Sequence, residues 1–203
     1  MTAGHRRAAA KRQQIIDAAR ELFLENGFAG SSMDAVVARA GVSKQTLYRY
    51  FPSKTELLAA VLASEVDTSG IFSGPPPQPE TAAELRVALI GIAHTLTHEM
   101  LSTRRLALIR LVLGEAFRIP ELRDAIRDLL PGQLLHRTQA VLAHAASRGL
   151  VHSERPELSA RMYIGPIFSF VVLDGLLRAD PLPPPATADL EYLVDTFLRS
   201  VEP

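Results

Sequence analysis

The sequence predicts an all-α protein, and three observations support this fold class. Apolar residues recur at the helical period of 3.6 residues in successive segments of the 203-residue chain. Residues that cap helix starts, and glycines and prolines that end helices, lie between these segments. The alternation of apolar and polar residues that is typical of strands does not rise above noise.

The first two helices are predicted from an apolar stripe and from capping residues. The stripe runs from Ile15 to Phe23. Gly27 follows an asparagine and predicts the end of the first helix, because glycine readily adopts the conformation that closes a helix. The stretch Ser31–Asp34 predicts a capping box at the start of a second, short helix, which Gly41 ends.

The next two helices complete a recognisable motif. Ser43 predicts the cap of a third helix that begins at Lys44 and is closed by Pro52. The turn Gly41–Ser43 separates it from the second helix, which is the spacing of a helix-turn-helix motif over about residues 31–51. The stretch Ser53–Glu56 is another capping box and opens a fourth helix. We therefore predict a helix-turn-helix domain of three short helices over residues 1–65.

The remaining residues, 66–203, are predicted to form a second, larger helical domain. The prolines of Ser69–Glu80 exclude a regular helix and mark a boundary or a long loop. Prolines and glycines then separate six predicted helices: Thr81–Leu101, Arg104–Arg118, Glu121–Leu130, Gly132–Arg148, Pro156–Arg178 and Ala188–Val201.

Charge is distributed unevenly along a chain whose formal net charge is zero. Residues 1–54 carry nine cations and four anions, a net charge of +5, so the remainder carries −5. A solvated face would explain the charge but not its one-sidedness. A basic head on an acidic body favours a polyanionic partner at one end, and a basic patch of this kind is typical of nucleic-acid binding.

The third helix presents polar side chains on its outer face. When the residues from Ser43 to Phe51 are placed on a helical wheel, Leu47 points inwards together with Ser43 and Phe51. The remaining residues face outwards or sideways: Lys44, Gln45, Thr46, Tyr48, Arg49 and Tyr50. Amide and guanidinium groups read base edges in a DNA major groove, and hydroxyl groups hold phosphates. The alternative is that the aromatic residues only pack; we accept it for Phe51, whereas Tyr50 suits both roles.

These residues carry a resemblance to a known family. The stretch Gly27–Leu58, GFAGSSMDAVVARAGVSKQTLYRYFPSKTELL, resembles the DNA-binding signature of the tetracycline-repressor-like (TetR) family of bacterial transcription regulators, over about a fifth of the chain. It departs from the family pattern at Ser31, where threonine is usual, at Val37, where alanine is common, and at Gln45, where glycine often stands.

The resemblance implies DNA-binding roles for particular residues. Lys44, Gln45, Thr46, Tyr48, Arg49 and Tyr50 match recognition-helix positions. Lys54 matches a phosphate-binding lysine, and Ser32 and Met33 match the start of the second helix, which approaches the DNA backbone. We hypothesise that Gln45 and Arg49 read bases. Thr46, Tyr48, Tyr50 and Lys54 would clamp phosphates.

The resemblance also implies an effector and a homodimer. The stretch Glu80–Arg148 resembles the ligand-binding half of the family, and Leu113–Asp128 resembles an AcrR-like subgroup. Five polar residues are open candidates for ligand anchors, and the alternative for each is an exposed or satisfied helix residue: Thr95, His98, Glu99, Arg110 and Glu115. None is assigned to a site. Family members dimerise through their last two helices, and the apolar character of Pro156–Arg178 on nearly every side favours self-association over a fully buried core helix.

Several function classes are disfavoured. The chain has no cysteine, so it has no thiol nucleophile or Cys-based metal site, which fits a reducing compartment. The longest uncharged apolar stretch, Met162–Val172, is too short for a membrane span of about 20 residues, and the basic N-terminus lacks a signal peptide's apolar core. His94 and His98 have a zinc-like spacing without a third ligand nearby. We expect a cytoplasmic protein with no membrane contact, cofactor, metal site or catalytic residue.

The function that we predict is transcriptional repression by a dimer that binds a palindromic double-stranded DNA operator. A small, hydrophobic effector would release the operator by shifting the helices packed on the fourth helix. A transcriptional activator of the same family is the alternative. An all-helical enzyme lacks any recognised catalytic motif here, and an architectural DNA binder without a ligand would need basic residues spread along the chain.

Overall fold

The computed structural model describes residues 3–68, 74–127 and 132–202, and within these ranges it contains helices and no strand. The predicted all-α fold class is confirmed. In chain order the helices are α1 (Ala3–Gly30), α2 (Met33–Ala40), α3 (Lys44–Tyr50), α4 (Lys54–Thr68), α5 (Ala82–Met100), α6 (Thr103–Ala116), α7 (Pro120–Arg127), α8 (Gln133–Ser147), α9 (Pro156–Ser169), which continues as a π-helical segment (Phe170–Leu176), and α10 (Thr187–Ser200).

The described residues belong to two compact units. The head unit lies within Met1–Thr68 and Ala107–Arg127, and the body unit lies within Ser69–Leu106 and Asp128–Pro203. The head unit thus includes a stretch, 107–127, that the sequence analysis assigned to the second domain. The predicted division of function at residue 65 stays a prediction.

The predicted helices agree with the structure to within two residues at most ends. The predicted helix Glu121–Leu130 is observed up to Arg127, and its last residues lie outside the described ranges, as do Pro131 and residues 69–73 of the proline-rich stretch. Among the described residues, no helix has both the length and the apolar character needed to cross a membrane.

The turn between α1 and α2 is built around Gly27 and Ser31. Gly27 interrupts the helical backbone of α1 with φ 72° and ψ 172°, which agrees with the predicted helix end although helical geometry resumes as far as Gly30. The Ser31 hydroxyl lies 3.0 Å from the carbonyl oxygen of Leu22 and 2.8 Å from that of Gly27. Ser31 therefore holds the end of α1, and the cap of α2 is its neighbour Ser32.

Serine caps start three of the helices in the head unit. The hydroxyl oxygens of Ser32, Ser43 and Ser53 each accept a hydrogen bond of 3.1 Å from a backbone N–H three residues further on. Gly41 closes α2 in the left-handed conformation, with φ 59° and ψ 38°. These caps confirm the predicted starts of α2, α3 and α4 and the predicted end of α2.

The head unit has an apolar core that includes one buried ion pair. Ile15, Phe23, Leu47 and Leu58 are completely buried. The pair joins α1 to α4, because Nε of the buried Arg20 lies 2.7 Å from Oε1 of Glu65. Removal of one partner of such a pair is strongly destabilising, because the other partner loses a counterion inside the core.

The body unit is held together by α5, α9 and α10. The buried Tyr163 of α9 donates a hydrogen bond from its hydroxyl to the carbonyl oxygen of Leu89 in α5, and its ring centroid lies 5.4 Å from that of Phe197 in α10. On the surface of the same unit, Arg86 of α5 forms a two-pronged ion pair of 2.6 and 3.0 Å with Asp195 of α10. The three helices are therefore joined by both apolar and polar contacts.

The predicted helix Pro156–Arg178 is not α-helical throughout. Pro166 lies inside α9, and the backbone then widens into the π-helical segment, in which the N–H of Leu177 bonds the carbonyl oxygen of Val172 at 2.9 Å. Gly175 allows a close approach within the body unit, because a Cβ atom there would lie 2.7 Å from Cδ2 of Leu101. Hydropathy patterning does not reveal such a segment, because it depends on local packing.

Replacement of Gly27 by alanine is expected to destabilise the protein through the backbone alone. A Cβ at Gly27 meets no atom within 4 Å, but its φ and ψ values fall in a region that is almost restricted to glycine. Gly27→Ala should lower the free energy of unfolding by about 1–3 kcal/mol, measured by urea denaturation. Gly30→Ala is the matched control, because its Cβ would meet only Asn26 Cβ at 3.5 Å. Equal stability of the two variants would contradict this account.

Tyr163 is expected to make the protein sensitive to alkali. Burial raises the pKa of the Tyr163 phenol well above its ordinary value. Above about pH 10 the unfolded chain loses this proton while the folded chain keeps it, so stability falls as pH rises, by about 1.4 kcal/mol per pH unit. Tyr163→Phe should lose about 0.5–1.5 kcal/mol at neutral pH and should show a shallower alkaline fall. The same alkaline fall in both proteins would be inconsistent with a buried, protonated Tyr163.

Candidate nucleic-acid interface

Helix α3 projects its polar side chains because one residue anchors it. Leu47 is completely buried, and it is the buried residue of this seven-residue helix. Gln45 and Arg49 are exposed on the side away from Leu47, and Tyr48 keeps 41% of its surface exposed. The inward direction that the sequence predicted for Leu47 is therefore confirmed.

The aromatic residues at the end of α3 divide between packing and exposure. Phe51 is buried, as expected, and the guanidinium of Arg12 lies 5.2 Å from the centre of its ring. Tyr50 is half-buried and packs 6.5 Å from Phe51 between ring centres, while the guanidinium of Arg49 lies 5.2 Å above its ring. Tyr50 therefore supports Arg49 and still presents part of its surface.

The first turn of α3 is joined to α2 by an exposed ion pair. Nζ of Lys44 lies 2.9 Å from Oδ1 of Asp34, and both side chains are more than half exposed. The hydrogen bond from Lys44 to the Asp34 carboxylate raises the pKa of Lys44 above its ordinary value. Thr46, two residues further on, has its hydroxyl 2.9 Å from that of Ser43, so it takes part in the helix cap.

Lys54 is bound within the head unit. Its ammonium donates hydrogen bonds of 2.7 Å to the carbonyl oxygen of Phe28 and 2.9 Å to that of Ser31, and it lies 4.3 Å from the centre of the Phe28 ring. An ammonium has three N–H donors, so one is left for another acceptor. The ammonium thus ties the start of α4 to the turn before α2, where Ser32 is exposed and Met33 is half-buried.

Other cations of the head unit are neutralised by carboxylates of the same unit. Arg39 lies 3.2 Å from Glu21 and 2.9 Å from Glu25 between ion-pairing atoms. The hydrogen bond from Arg39 lowers the pKa of Glu25, and hydrogen bonds to Glu25 and Glu21 raise the pKa of Arg39. Arg39 is therefore less available to a polyanion than an unpaired arginine, although the net charge of residues 1–54 is unchanged.

Described residues of the body unit line two apolar cavities. The larger has a volume of about 290 Å³, and Thr95 and Arg137 are the polar residues in an otherwise apolar lining that includes Ile92 and Leu134. Arg137 also donates hydrogen bonds of 2.8 and 3.0 Å to the carbonyl oxygens of Gly74 and Pro75. The smaller, of about 190 Å³, has Arg161 at an apolar lining that shares Leu134. Ligand sites are commonly apolar with a few polar anchors.

The candidate anchors do not converge on one cavity. Thr95 lines the larger cavity, whereas Arg110 and Glu115 belong to the head unit. Glu99 forms an ion pair with Arg105. Arg137 and Arg161, which the sequence analysis did not single out, line the cavities; no sequence motif marks them, because residues far apart in the chain form these linings.

The histidine pair of α5 is a surface feature. The rings of His94 and His98 stack with their centres 5.7 Å apart, and both residues are exposed. In the part of the chain that the structure describes, no group of three or more histidine, aspartate or glutamate residues is placed to hold a metal ion.

Comparison with known families identifies both halves of the chain. Residues 15–61 match the model of the tetR family of bacterial regulatory proteins. Residues 87–200 match the model of the C-terminal domain of AefR-like transcriptional repressors, whereas the sequence analysis had compared Leu113–Asp128 with an AcrR-like subgroup.

Individual relatives are similar over part of their length. The transcriptional activator FasR of Mycolicibacterium smegmatis is 36% identical over 91 residues, which is 44% of this chain and 42% of the relative. The transcriptional regulator UidR of Escherichia coli is 31% identical over 117 residues, or 58% of this chain and 57% of the relative. The matches thus span about half the length of these curated relatives.

Solved structures match over nearly the whole chain. The flavonoid-responsive regulator FrrA is 28% identical, with a TM-score of 0.76 over 96% of this chain and 98% of that one. A TetR family regulator from Pseudomonas syringae is 27% identical, with a TM-score of 0.69 over 94% and 96% of the two chains. The family model of the C-terminal domain matches more than half of the residues of this chain. The chain therefore belongs to the tetR family of bacterial regulatory proteins, which are transcriptional regulators and not enzymes.

Proposed function

We propose that this protein is a transcriptional repressor that binds a palindromic DNA operator as a homodimer and is released by a small, hydrophobic effector. The observation that carries the proposal is the outward face of α3, which Leu47 orients from below. A helix presented in this way suits the DNA major groove. Because bacterial DNA lies in the cytoplasm, the proposal places the protein there.

Gln45 and Arg49 are the proposed base readers. A glutamine amide can bond adenine through two atoms, and a guanidinium can bond guanine in the same way. Both side chains are exposed, and Arg49 is supported from one side by the ring of Tyr50. A supported guanidinium loses less conformational freedom on binding than one that moves freely in water.

The phosphate-binding set surrounds these base readers. Tyr48 is exposed and Thr46 and Tyr50 are half-buried, so their hydroxyls suit phosphates at the groove edges. Lys54 has one N–H left for a phosphate while its other two hold the turn before α2. Ser32 and Met33 lie at the start of α2, where backbone N–H groups and the helix dipole favour an anion.

The proposed dimer surface lies on α9 and its π-helical extension. Apolar side chains that keep 40–73% of their surface exposed recur at helical spacing: Leu158, Met162, Leu173 and Leu177. An exposed apolar stripe of this kind is typical of a protein–protein interface. Tyr192 of α10, which is 68% exposed, provides an additional aromatic side chain on the second of the last two helices. Two recognition helices held about 34 Å apart would then bind successive turns of a palindrome.

The cavities of the body unit are the proposed effector site. Their apolar linings favour a hydrophobic molecule, and Thr95, Arg137 and Arg161 suit a hydroxyl or an anionic group on it. FrrA is named as flavonoid-responsive, so flat phenolic molecules are the first class to test. FasR is named an activator, and activation is the alternative sign of regulation.

The proposed coupling from effector to DNA uses the stretch 107–127. It follows the body unit directly in the chain, and its helix α7 packs against α4 within the head unit. A shift in the body-unit helices would therefore pull on α4, which Lys54 ties to the turn before α2. Residues 1–65 would bind DNA, and residues 66–203 would bind the effector and the partner copy.

The proposal is tested by selection and calorimetry. The purified protein should enrich palindromic duplexes from a random DNA library, and it should do so as a two-chain particle. A flavonoid that binds should weaken operator binding, and operator should weaken the flavonoid by the same factor, because coupling between sites is reciprocal. Failure to enrich any palindrome would remove the DNA-binding proposal. Equal flavonoid affinity with and without operator would remove the allosteric one.

Replacement of Lys54 by alanine should weaken binding to every DNA sequence. Loss of one phosphate contact per protomer is expected to lower the slope of log affinity against log salt by about one for each protomer of the dimer. Lys54→Gln is the matched variant, because its amide keeps donors for the carbonyl oxygens of Phe28 and Ser31 without the charge. An unchanged salt slope in both variants would show that Lys54 does not contact a phosphate.

Replacement of Leu173 by aspartate should dissociate the homodimer. Leu173 is 59% exposed in the single chain, so the charge is tolerated there but would be buried in the proposed interface. We expect sedimentation to show a single chain, and operator affinity to fall steeply. Val87→Asp is the control, because Val87 is 67% exposed on α5, outside the stripe. A Leu173→Asp protein that stays dimeric would exclude this surface as the interface.

A further inference from the structure

An acidic residue lies within the proposed DNA-binding face. Asp34 follows Met33 in the first turn of α2 and is exposed. It is the only acidic residue between Glu25 and Glu56, a stretch that contains all nine proposed DNA-binding residues. A carboxylate next to DNA repels the phosphates, so its presence in this stretch requires an explanation.

Asp34 is engaged with a cation of the recognition helix. Its Oδ1 lies 2.9 Å from Nζ of Lys44, and the two side chains keep 70% and 62% of their surfaces exposed. The other exposed acids with ion pairs in this region, Glu21 and Glu25, both pair with Arg39 at the opposite end of α2. Asp34 is therefore the carboxylate that competes with a phosphate for Lys44.

We propose that Asp34 is a specificity-determining residue that withholds Lys44 from the phosphates of non-operator DNA. The inference rests on the proposed DNA-binding function. It also accounts for Lys44, which matches a recognition-helix position but was given no role among the base readers or the phosphate clamps. Ammonium-to-phosphate contacts supply most of the affinity for DNA of any sequence, so a carboxylate that occupies one ammonium lowers that affinity.

The exposure of the pair makes this control reversible. Exposed ion pairs are weak because water screens both charges. On DNA where the rest of α3 makes few contacts, a phosphate alone has to replace the contact that Lys44 loses when it leaves Asp34. The resulting low affinity for non-operator DNA matters because non-operator sites vastly outnumber operators in a genome.

The test uses the full chain and a short duplex of scrambled sequence, with affinity measured over a range of salt concentrations. Asp34→Asn should make the slope of log affinity against log salt steeper by about 0.9 per protomer. For a dimer, affinity should then fall about 12-fold more than that of the wild type between about 50 and 200 mM salt. Lys44→Met alone should leave the slope at the wild-type value. The double variant with both Asp34→Asn and Lys44→Met should also have the wild-type slope.

Glu21→Gln is the matched control for the loss of one negative charge. Glu21 is exposed, and Arg39 keeps its ion pair with Glu25 when the charge of Glu21 is removed. The slope should therefore stay at the wild-type value. The inference would be overturned if Asp34→Asn left the slope unchanged. It would also be overturned if Lys44→Met alone lowered the slope by about 0.9 per protomer. Steepening by Asp34→Asn in the Lys44→Met background would also overturn it, because the effect would not pass through Lys44.

The outcome for the wild-type protein separates the two proposals. If the wild type selects a palindrome and Asp34→Asn does not change the slope on scrambled DNA, only the role of Asp34 fails. If the wild type selects no palindrome, the proposed function fails and the inference fails with it. Thermal unfolding of each variant confirms that it is folded, which the exposure of Asp34 and Lys44 leads us to expect.

Discussion

The burial of Leu47 is the interaction on which the proposed DNA-binding face of α3 depends. A helix of seven residues cannot persist alone in water, because isolated helices shorter than about 12–15 residues are marginal. α3 is stable because Ser43 caps its start, Leu47 fixes one side to the core, and Phe51 is buried directly after its end. The same anchor decides which side chains face outwards, so one residue sets both the packing of α3 and the composition of its exposed face.

Ion pairing divides the charge of the head into two groups. Arg20 and Arg39 are bound to carboxylates of α1 and α4 and serve the fold. Arg49 keeps an exposed guanidinium over the ring of Tyr50. The excess of positive charge in residues 1–54 therefore indicates the kind of partner, whereas the local pairs decide which cations are available to it. Lys54 belongs partly to both groups, because its ammonium stabilises a turn and keeps one donor.

Local features of the fold were predictable from the sequence, and tertiary ones were not. The caps at Ser32, Ser43 and Ser53 and the turn at Gly41 depend on residues within four positions of each other, so spacing alone reveals them. The outward face of α3 followed in the same way from its periodicity. The pairing of Arg20 with Glu65, the carbonyl contacts of Lys54 and the inclusion of residues 107–127 in the head unit join distant parts of the chain. The cavity linings do so as well, and periodicity carries no information about such contacts.

The π-helical segment has a consequence for how the length of this chain can change. A π-helix holds one residue more than an α-helical turn in the same rise, and here Gly175 leaves the room that Leu101 and Leu106 fill. Deletion of one residue between Phe170 and Leu176 would therefore be absorbed by a return to the narrower α-helix, and later side chains such as Leu177 would keep nearly the same direction. A deletion in α9 before this segment has no such extra residue to remove and would rotate every later side chain by about 100°. A change in the length of this helix is therefore better tolerated within the π-helical segment than before it.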